Sequence, residues 1–289
     1  MAEQTIIDIF YRRVEQDAYK TAILFKKDGS YKPMTWAEHG AIVERAAAAL
    51  IIKGLGENDQ VAILASTRPE WTWADIAILS TRARTVPIYS TLSESEVRFL
   101  VDHSQSKAIF AENERQLAKI IEASEGPPEE LEFAVVFDDD GFERDNFPFD
   151  VMNFQEFLQT GDAALAQNKD IVKKRRRQVL PEDLATIVYT SGTTGVPKGA
   201  MLLHGNIYKV LESMGQLIEF TQDDLALAFL PLSHVFERVN GQFLSIFFGL
   251  SYAYAESMEK VAENMIEVKP TLINAVPRFY EKAYQRVQT

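Results

Sequence analysis

Short apolar runs recur along this chain, each followed by a segment with the 3.6-residue period of a helix, and this alternation limits the fold more than any other feature. Val61–Ala65, Thr85–Tyr89, Ala108–Ala111 and Phe133–Phe137 read as buried strands. Between and after them, Trp36–Ile52, Pro69–Thr81, a helix ending at His103, Asn113–Ala123 and Phe154–Ala166 read as helices. The punctuation agrees: Gly54 and Gly56 close the first helix, Pro69 opens the next, and Ser93-Glu94-Ser95-Glu96 has the form of a capping box. A second series follows, with helices near Gly205–Phe220, His234–Phe248 and Met258–Val268 and after Pro277. Its strands are Ala226–Leu230, Tyr252–Ala255 and Leu272–Ala275. Strands alternating with helices at this spacing predict an α/β fold of stacked, largely parallel sheets flanked by helices. With 289 residues, 46% of them hydrophobic, the chain can bury a large core in two parts. The reading divides them into a first subdomain with linker over 1–180 and a second over 181–289. Asp138–Asp150, rich in acids with Gly141 and Pro148, reads as an exposed loop.

The strongest chemical signal follows the apolar run Leu184–Tyr189. Residues 190–199 hold four hydroxyls (Thr190, Ser191, Thr193, Thr194), three glycines (Gly192, Gly195, Gly199) and the cation Lys198. Glycines let backbone N–H groups approach an anion, and hydroxyls with a lysine complete its coordination. The pattern predicts a polyphosphate cradle, and it differs from the GxxxxGK[ST] loop because its lysine precedes the last glycine. His234 is the second candidate, placed after Leu230-Pro231-Leu232-Ser233 where a strand gives way to a helix. His204 reads as structural, and His39 and His103 receive no role.

YTSGTTGVPKG resembles the phosphate-loop signature of the adenylate-forming superfamily. Leu230-Pro231-Leu232-Ser233-His234-Val235-Phe236-Glu237-Arg238 is similar to the second motif of its long-chain fatty acid–CoA ligase branch. Arg68-Pro69-Glu70-Trp71, Val86-Pro87-Ile88-Tyr89-Ser90-Thr91 and Val276-Pro277-Arg278-Phe279-Tyr280 also look like that branch. The resemblance implies activation of a fatty acid by ATP to an acyl-adenylate and transfer of the acyl group to CoA. In it Lys198 and His234 are catalytic, the loop residues Thr190–Gly195, Lys198 and Gly199 hold the nucleotide phosphates, and Thr190 meets Mg²⁺. His234, Phe236 and Arg238 would line the acyl site, although some relatives carry a bulky aromatic where Arg238 stands. The resemblance covers only the front part of such a ligase, short of its C-terminal lid domain. These residues alone are therefore expected to be inactive and, with apolar helix faces left open, to self-associate as a homo-oligomer. Two other readings stay open: a ligase for an aryl or short-chain acid, and a nucleotide- or lipid-binding module without catalysis.

Charge and composition narrow the partners. A formal charge of −12 argues against general nucleic-acid binding. The absence of cysteine excludes disulfides and thiolate metal sites, and four scattered histidines suggest no metal centre. Phe243–Leu250, the longest apolar stretch, is too short to span a bilayer, so a soluble, cytoplasmic chain is expected. The block Lys173-Lys174-Arg175-Arg176-Arg177 reads as a solvated helix end, with peripheral attachment to anionic lipid or contact with CoA phosphates as its sharper alternatives.

Overall fold

The structure, a computed structural model, describes residues 4–122, 126–190 and 197–288. Twelve strands are described: β1 (Thr21–Lys27), β2 (Ser30–Thr35), β3 (Gln60–Leu64), β4 (Arg84–Ile88), β5 (Ser106–Ala111), β6 (Phe133–Val136), β7 (Asp150–Asn153), β8 (Leu184–Thr190), β9 (Lys198–Leu203), β10 (Leu225–Ala228), β11 (Ser251–Tyr254) and β12 (Leu272–Ile273). They form a seven-stranded sheet in the order β7-β6-β5-β3-β4-β8-β9 and a five-stranded sheet in the order β12-β10-β11-β1-β2. Only the β1–β2 and β8–β9 pairs are antiparallel; every other described pairing is parallel. A parallel strand needs a crossover, and the helices between strands supply it. Helices Trp36–Ile52, Pro69–Ser80, Glu94–Ser104, Glu114–Glu122 and Phe154–Gln167 lie where the hydrophobic period places them. Thr35, Ser93 and Asn153 each close a capping box with Glu38, Glu96 and Glu156.

The expected boundary at residue 181 is not where the sheets divide. β8 and β9 complete the sheet built mostly from the first half, while β1 pairs with β11 in the other and carries β2 at its edge. Both are long-range pairings, which local sequence periodicity does not report. The helix Ile6–Gln16, the β1–β2 hairpin, β7 and β9 were not anticipated. The hairpin turns on Asp28-Gly29, whose φ angles of 52° and 76° suit the turn that Asp-Gly favours. Pro33 is tolerated because β2 is an edge strand. The acidic stretch 138–150 is exposed over most of its length, as expected, but Phe147 is buried, stacks on Phe142 and meets Phe149 at a tilt, and Asp150 begins β7.

The expected helix His234–Phe248 is continuous but not uniform. One α-turn, Val235–Glu237, leads into a π-helical stretch, Arg238–Phe243, and then into Leu244–Phe248. Such widened turns are common at functional sites. Gly249 (φ 79°) stops the helix in the left-handed conformation.

Candidate functional site

The carboxyl ends of β3, β4, β10 and β11 converge from both sheets. The segments that follow them (Ser66-Thr67, Tyr89-Ser90, Phe229 and Pro231, Ala255-Glu256) line a crevice of about 330 Å³. It adjoins a second hollow of about 510 Å³ through Ser66, Thr67, Ala255 and Glu256. Open parallel sheets bind ligands at this edge, where strand ends expose backbone groups to the gap. Neither the crevice nor a further hollow of about 290 Å³ beside Arg98 and Gln105 is lined by an expected site residue, although Ser233, next to His234, lines the crevice.

β8 delivers the first of these residues. It runs parallel to β4 with Thr186 opposite Thr85, and it ends at Thr190. Across the hairpin, Thr190 faces Lys198 and Tyr189 faces Gly199. Thr190 and Lys198 are both exposed. Gly199 has a structural reason to be glycine, because a Cβ there would lie 2.6 Å from Ile187 Cγ2. Ser191, Gly192, Thr193, Thr194 and Gly195 lie outside the described residues. Tyr189, next to the end of β8, is anchored by a 2.8 Å hydrogen bond between its hydroxyl and the Nδ1 of His103, a histidine to which the sequence assigns no role. Half-burial pushes that tyrosine hydroxyl up to about 12.

His234 is exposed at the start of its helix, and its ring meets Tyr89 edge-on with centroids 6.4 Å apart. Its own Nδ1 caps the helix by accepting the Phe236 N–H at 3.1 Å. An accepting Nδ1 leaves the proton of the neutral ring on Nε2, the nitrogen that remains to donate to a ligand. The preceding segment is pinned by Thr67, whose hydroxyl donates to the Leu230 carbonyl (2.8 Å) and accepts the Leu232 N–H (3.0 Å). Thr67 and Tyr89 were not singled out in the sequence. Thr67 sits just before the Arg68-Pro69 helix start, where a loop hydroxyl is an available signal.

Phe236 is 37% exposed and its backbone lies beside His234, so an acyl-lining role remains open to it. Arg238 departs from its expected role. It is 2% exposed, and its guanidinium is engaged by Asp75 and Thr186, with Trp71 and Phe243 rings about it. Its charged end is therefore taken up within the protein rather than presented to an acyl chain. Asp75 carried a signal in the sequence: past Glu70 in the first turn, it is the one acid in the apolar body of helix Pro69–Ser80 and needs a buried partner.

Glu237 was also missed. It is 1% exposed, and burial raises its carboxyl to about 7 although Tyr252 donates to its Oε1 at 2.6 Å. Gly241 makes room for that carboxyl, since a Cβ there would come within 2.3 Å of Glu237 Oε1. His39 and His204 are core histidines, held neutral by burial that lowers them to about 3 and about 4. Trp73 donates to His39 Nδ1 at 3.0 Å.

The basic block is smaller at the surface than in the sequence. Arg175 turns inward toward the carbonyls of Leu55 and Thr81, and Arg176 lies 3.8 Å over the Tyr11 ring. Lys173, Lys174 and Arg177 remain exposed. Among the described residues no helix is long and apolar enough to cross a membrane, and no group of three or more histidine and carboxylate side chains could hold a metal ion.

Residues 10–288 match the model of the AMP-binding enzyme family. The peroxisomal long chain acyl-CoA synthetase 6 of Arabidopsis thaliana is 31% identical over 264 residues, covering 89% of this chain and 36% of the relative. Long-chain-fatty-acid–CoA ligase 5 of Mus musculus is 28% identical over 270 residues, 89% of this chain and 38% of the relative. The chain thus spans well under half the length of the curated relatives it matches. Among solved structures, the N-terminal domain of FACL13 from Mycobacterium tuberculosis superposes with a TM-score of 0.78 at 22% identity, covering 96% of this chain and 64% of that one. The anthranilate CoA ligase AuaEII, in complex with anthranoyl-AMP, superposes with a TM-score of 0.76 at 20% identity, covering 93% and 48%. These two likenesses concern the fold.

Proposed function

The chain belongs to the AMP-binding enzyme family, and from that premise we propose that it forms the front part of a long-chain fatty acid–CoA ligase. The observation that supports this reading is His234, whose ring meets the crevice-lining Tyr89 edge-on, on a fold whose β8 ends with Thr190 paired to Lys198. The choice of a fatty acid rests on the sequence relatives, because the solved neighbours include a ligase for an aryl acid.

In the proposed reaction a fatty carboxylate oxygen bonds to the α-phosphorus of ATP, the α–β bridge breaks, and pyrophosphate leaves. The sulfur of CoA then bonds to the acyl carbon and AMP departs. Phosphoryl transfer asks the protein mainly for alignment and charge stabilisation. Lys198 offsets the charge growing on pyrophosphate, the loop hydroxyls orient it, and His234 Nε2–H donates to the reacting oxygens. Mg²⁺ would arrive on the triphosphate, as this ion keeps substrate phosphates and few protein ligands. The exposed Thr190 hydroxyl is a hard oxygen donor that fits it. The same reading places the protein in the cytoplasm, with Lys173, Lys174 and Arg177 as the contact for any peripheral membrane association, and with self-association of residues 1–289 through open apolar faces.

The test is acid-dependent exchange of pyrophosphate into ATP, measured on the whole reading frame that carries this sequence, with palmitate, acetate and benzoate as competing acids. Palmitate should support the fastest exchange. Lys198→Ala should lower it by about 10²–10³-fold, the usual loss for one preorganised donor. Exchange that depends on benzoate or acetate and ignores palmitate would move the protein to the aryl or short-chain reading. Normal exchange in Lys198→Ala would remove the lysine from the mechanism.

A further inference from the structure

Three side chains that the reaction leaves unused meet beneath the crevice: Asp75, Thr186 and Arg238, which are 0%, 1% and 2% exposed. Arg238 grips Asp75 with two parallel bonds, Nε to Oδ2 at 2.9 Å and Nη2 to Oδ1 at 2.5 Å. Its remaining arm, Nη1, donates to Thr186 Oγ1 at 2.6 Å. Asp75 also accepts Thr85 Oγ1 at 2.7 Å and Gln242 Nε2 at 2.7 Å, and Thr186 Oγ1 donates to the Thr85 carbonyl at 2.7 Å. Four donors satisfy the carboxylate, so the node has no capacity for a ligand.

Its position along the chain gives it a different meaning. Thr186 lies four residues before Thr190 on β8, the strand that runs into the phosphate loop. Arg238 lies four residues after His234, and its backbone N–H donates to the His234 carbonyl at 3.1 Å. The hydrogen bond between Arg238 and Thr186 therefore ties the strand that presents the phosphate loop to the turn that presents His234. An apolar cluster of the same volume could be equally stable, since desolvating an ion pair offsets most of its attraction. It would not hold one offset, because apolar contacts have no direction whereas a planar fork accepts its partners in one arrangement.

We propose that Thr186 and Arg238 are positioning residues that hold His234 at a fixed offset from Thr190 and Lys198 at the paired ends of β8 and β9, aligning carboxylate and α-phosphorus. The reaction they serve is the one proposed above, but the offset itself is measurable without turnover. The chain has no cysteine, so spin labels can be placed singly at two chosen positions. Met201, 69% exposed on β9, and Val235, 38% exposed beside His234, report the two sides of the tie. The distance distribution between them should be narrow in the parent chain, about twofold broader in Thr186→Val, and narrow again in Thr186→Ser, which keeps the hydroxyl.

In the full reading frame Thr186→Val should lower kcat for pyrophosphate exchange by about 10- to 100-fold while the KM for ATP stays within about twofold, the signature of lost alignment rather than lost binding. A role in stability alone would lower Tm while leaving the distance and kcat of the folded population unchanged, and that result overturns the proposal. Should Thr186→Val not fold, Arg238→Lys, which keeps the charge and loses the fork, is read in the same way. A broadened distance in a protein whose parent exchanges with no acid would confirm the tie and refute the reaction, so the two failures are distinct.

Discussion

The interior of the seven-stranded sheet and the seam between the two sheets are buried to the same degree but built from opposite chemistry. On one face of β3, β4, β5 and β6 lie Ala62, Leu64, Val86, Ile88, Ile109, Ala111, Ala134 and Val136; the other carries Val61, Ile63, Ala108, Phe110, Phe133 and Val135. Parallel strands covered on both faces read this way because neither face meets water. At the seam, Thr72, Asp75, Thr186, Glu237, Arg238 and Gln242 are all 2% exposed or less. Thr72 alone meets both Gln242 (2.9 Å) and the Tyr254 hydroxyl (2.6 Å). The sheet interior stabilises by area, while the seam specifies an arrangement at a cost in desolvation. The crevice and His234 belong to the seam.

That contrast can be broken most decisively at Asp75. Asp75→Ala leaves the Arg238 guanidinium buried beside a cavity, and urea unfolding should show a loss of about 3–5 kcal/mol. A loss no larger than that of a sheet methyl would mean the seam is ordinary core. Next comes Glu237. Below about pH 4.5 folded and unfolded chains both carry its proton; the unfolded chain then ionises while the folded one holds the proton to about 7. Stability from this group is therefore lost as pH rises from about 4.5 to 7. Glu237→Gln should raise stability at pH 8 by about 2–3 kcal/mol and change it little at pH 4.5. An equal effect at both pH values would disprove the buried proton.

Two buried helix histidines titrate in the opposite sense. His39 and His204 stay neutral in the fold to about 3 and about 4, whereas the unfolded chain takes up their protons near 6.5. Their contribution is complete above about pH 6.5 and falls as pH drops, by about 2 kcal/mol per histidine at pH 5. His39→Gln should flatten that slope by one histidine's share. Smaller still is Ile63→Val in β3, expected to cost about 0.5–1.5 kcal/mol with no pH dependence. The smallest effect on stability belongs to Lys198→Ala, within about 0.5 kcal/mol, because an exposed hairpin side chain has little packing to lose. A large drop in Tm for that variant would show that Lys198 supports the fold rather than a ligand.

Where a signal was local, the sequence disclosed it. Helix Trp36–Ile52 and the Ser93 cap could be read from period and capping residues. The place of His234 at a helix start was legible at the strand–helix junction, but its capping by its own Nδ1 was not, since that depends on one ring rotation. The Asp28-Gly29 hairpin had a clear local signal that went unread.

By itself, the sequence determined the α/β alternation and the capped helix starts, because each is written within a few consecutive residues. The tertiary structure alone decided which strands share a sheet, and so moved β8 and β9 across the expected boundary at 181. It also turned Arg238 from an expected channel residue into the partner of Asp75, 163 positions away. A buried charge is settled by whatever the fold brings within about 3 Å of it, and that neighbour is a property of packing rather than of sequence spacing.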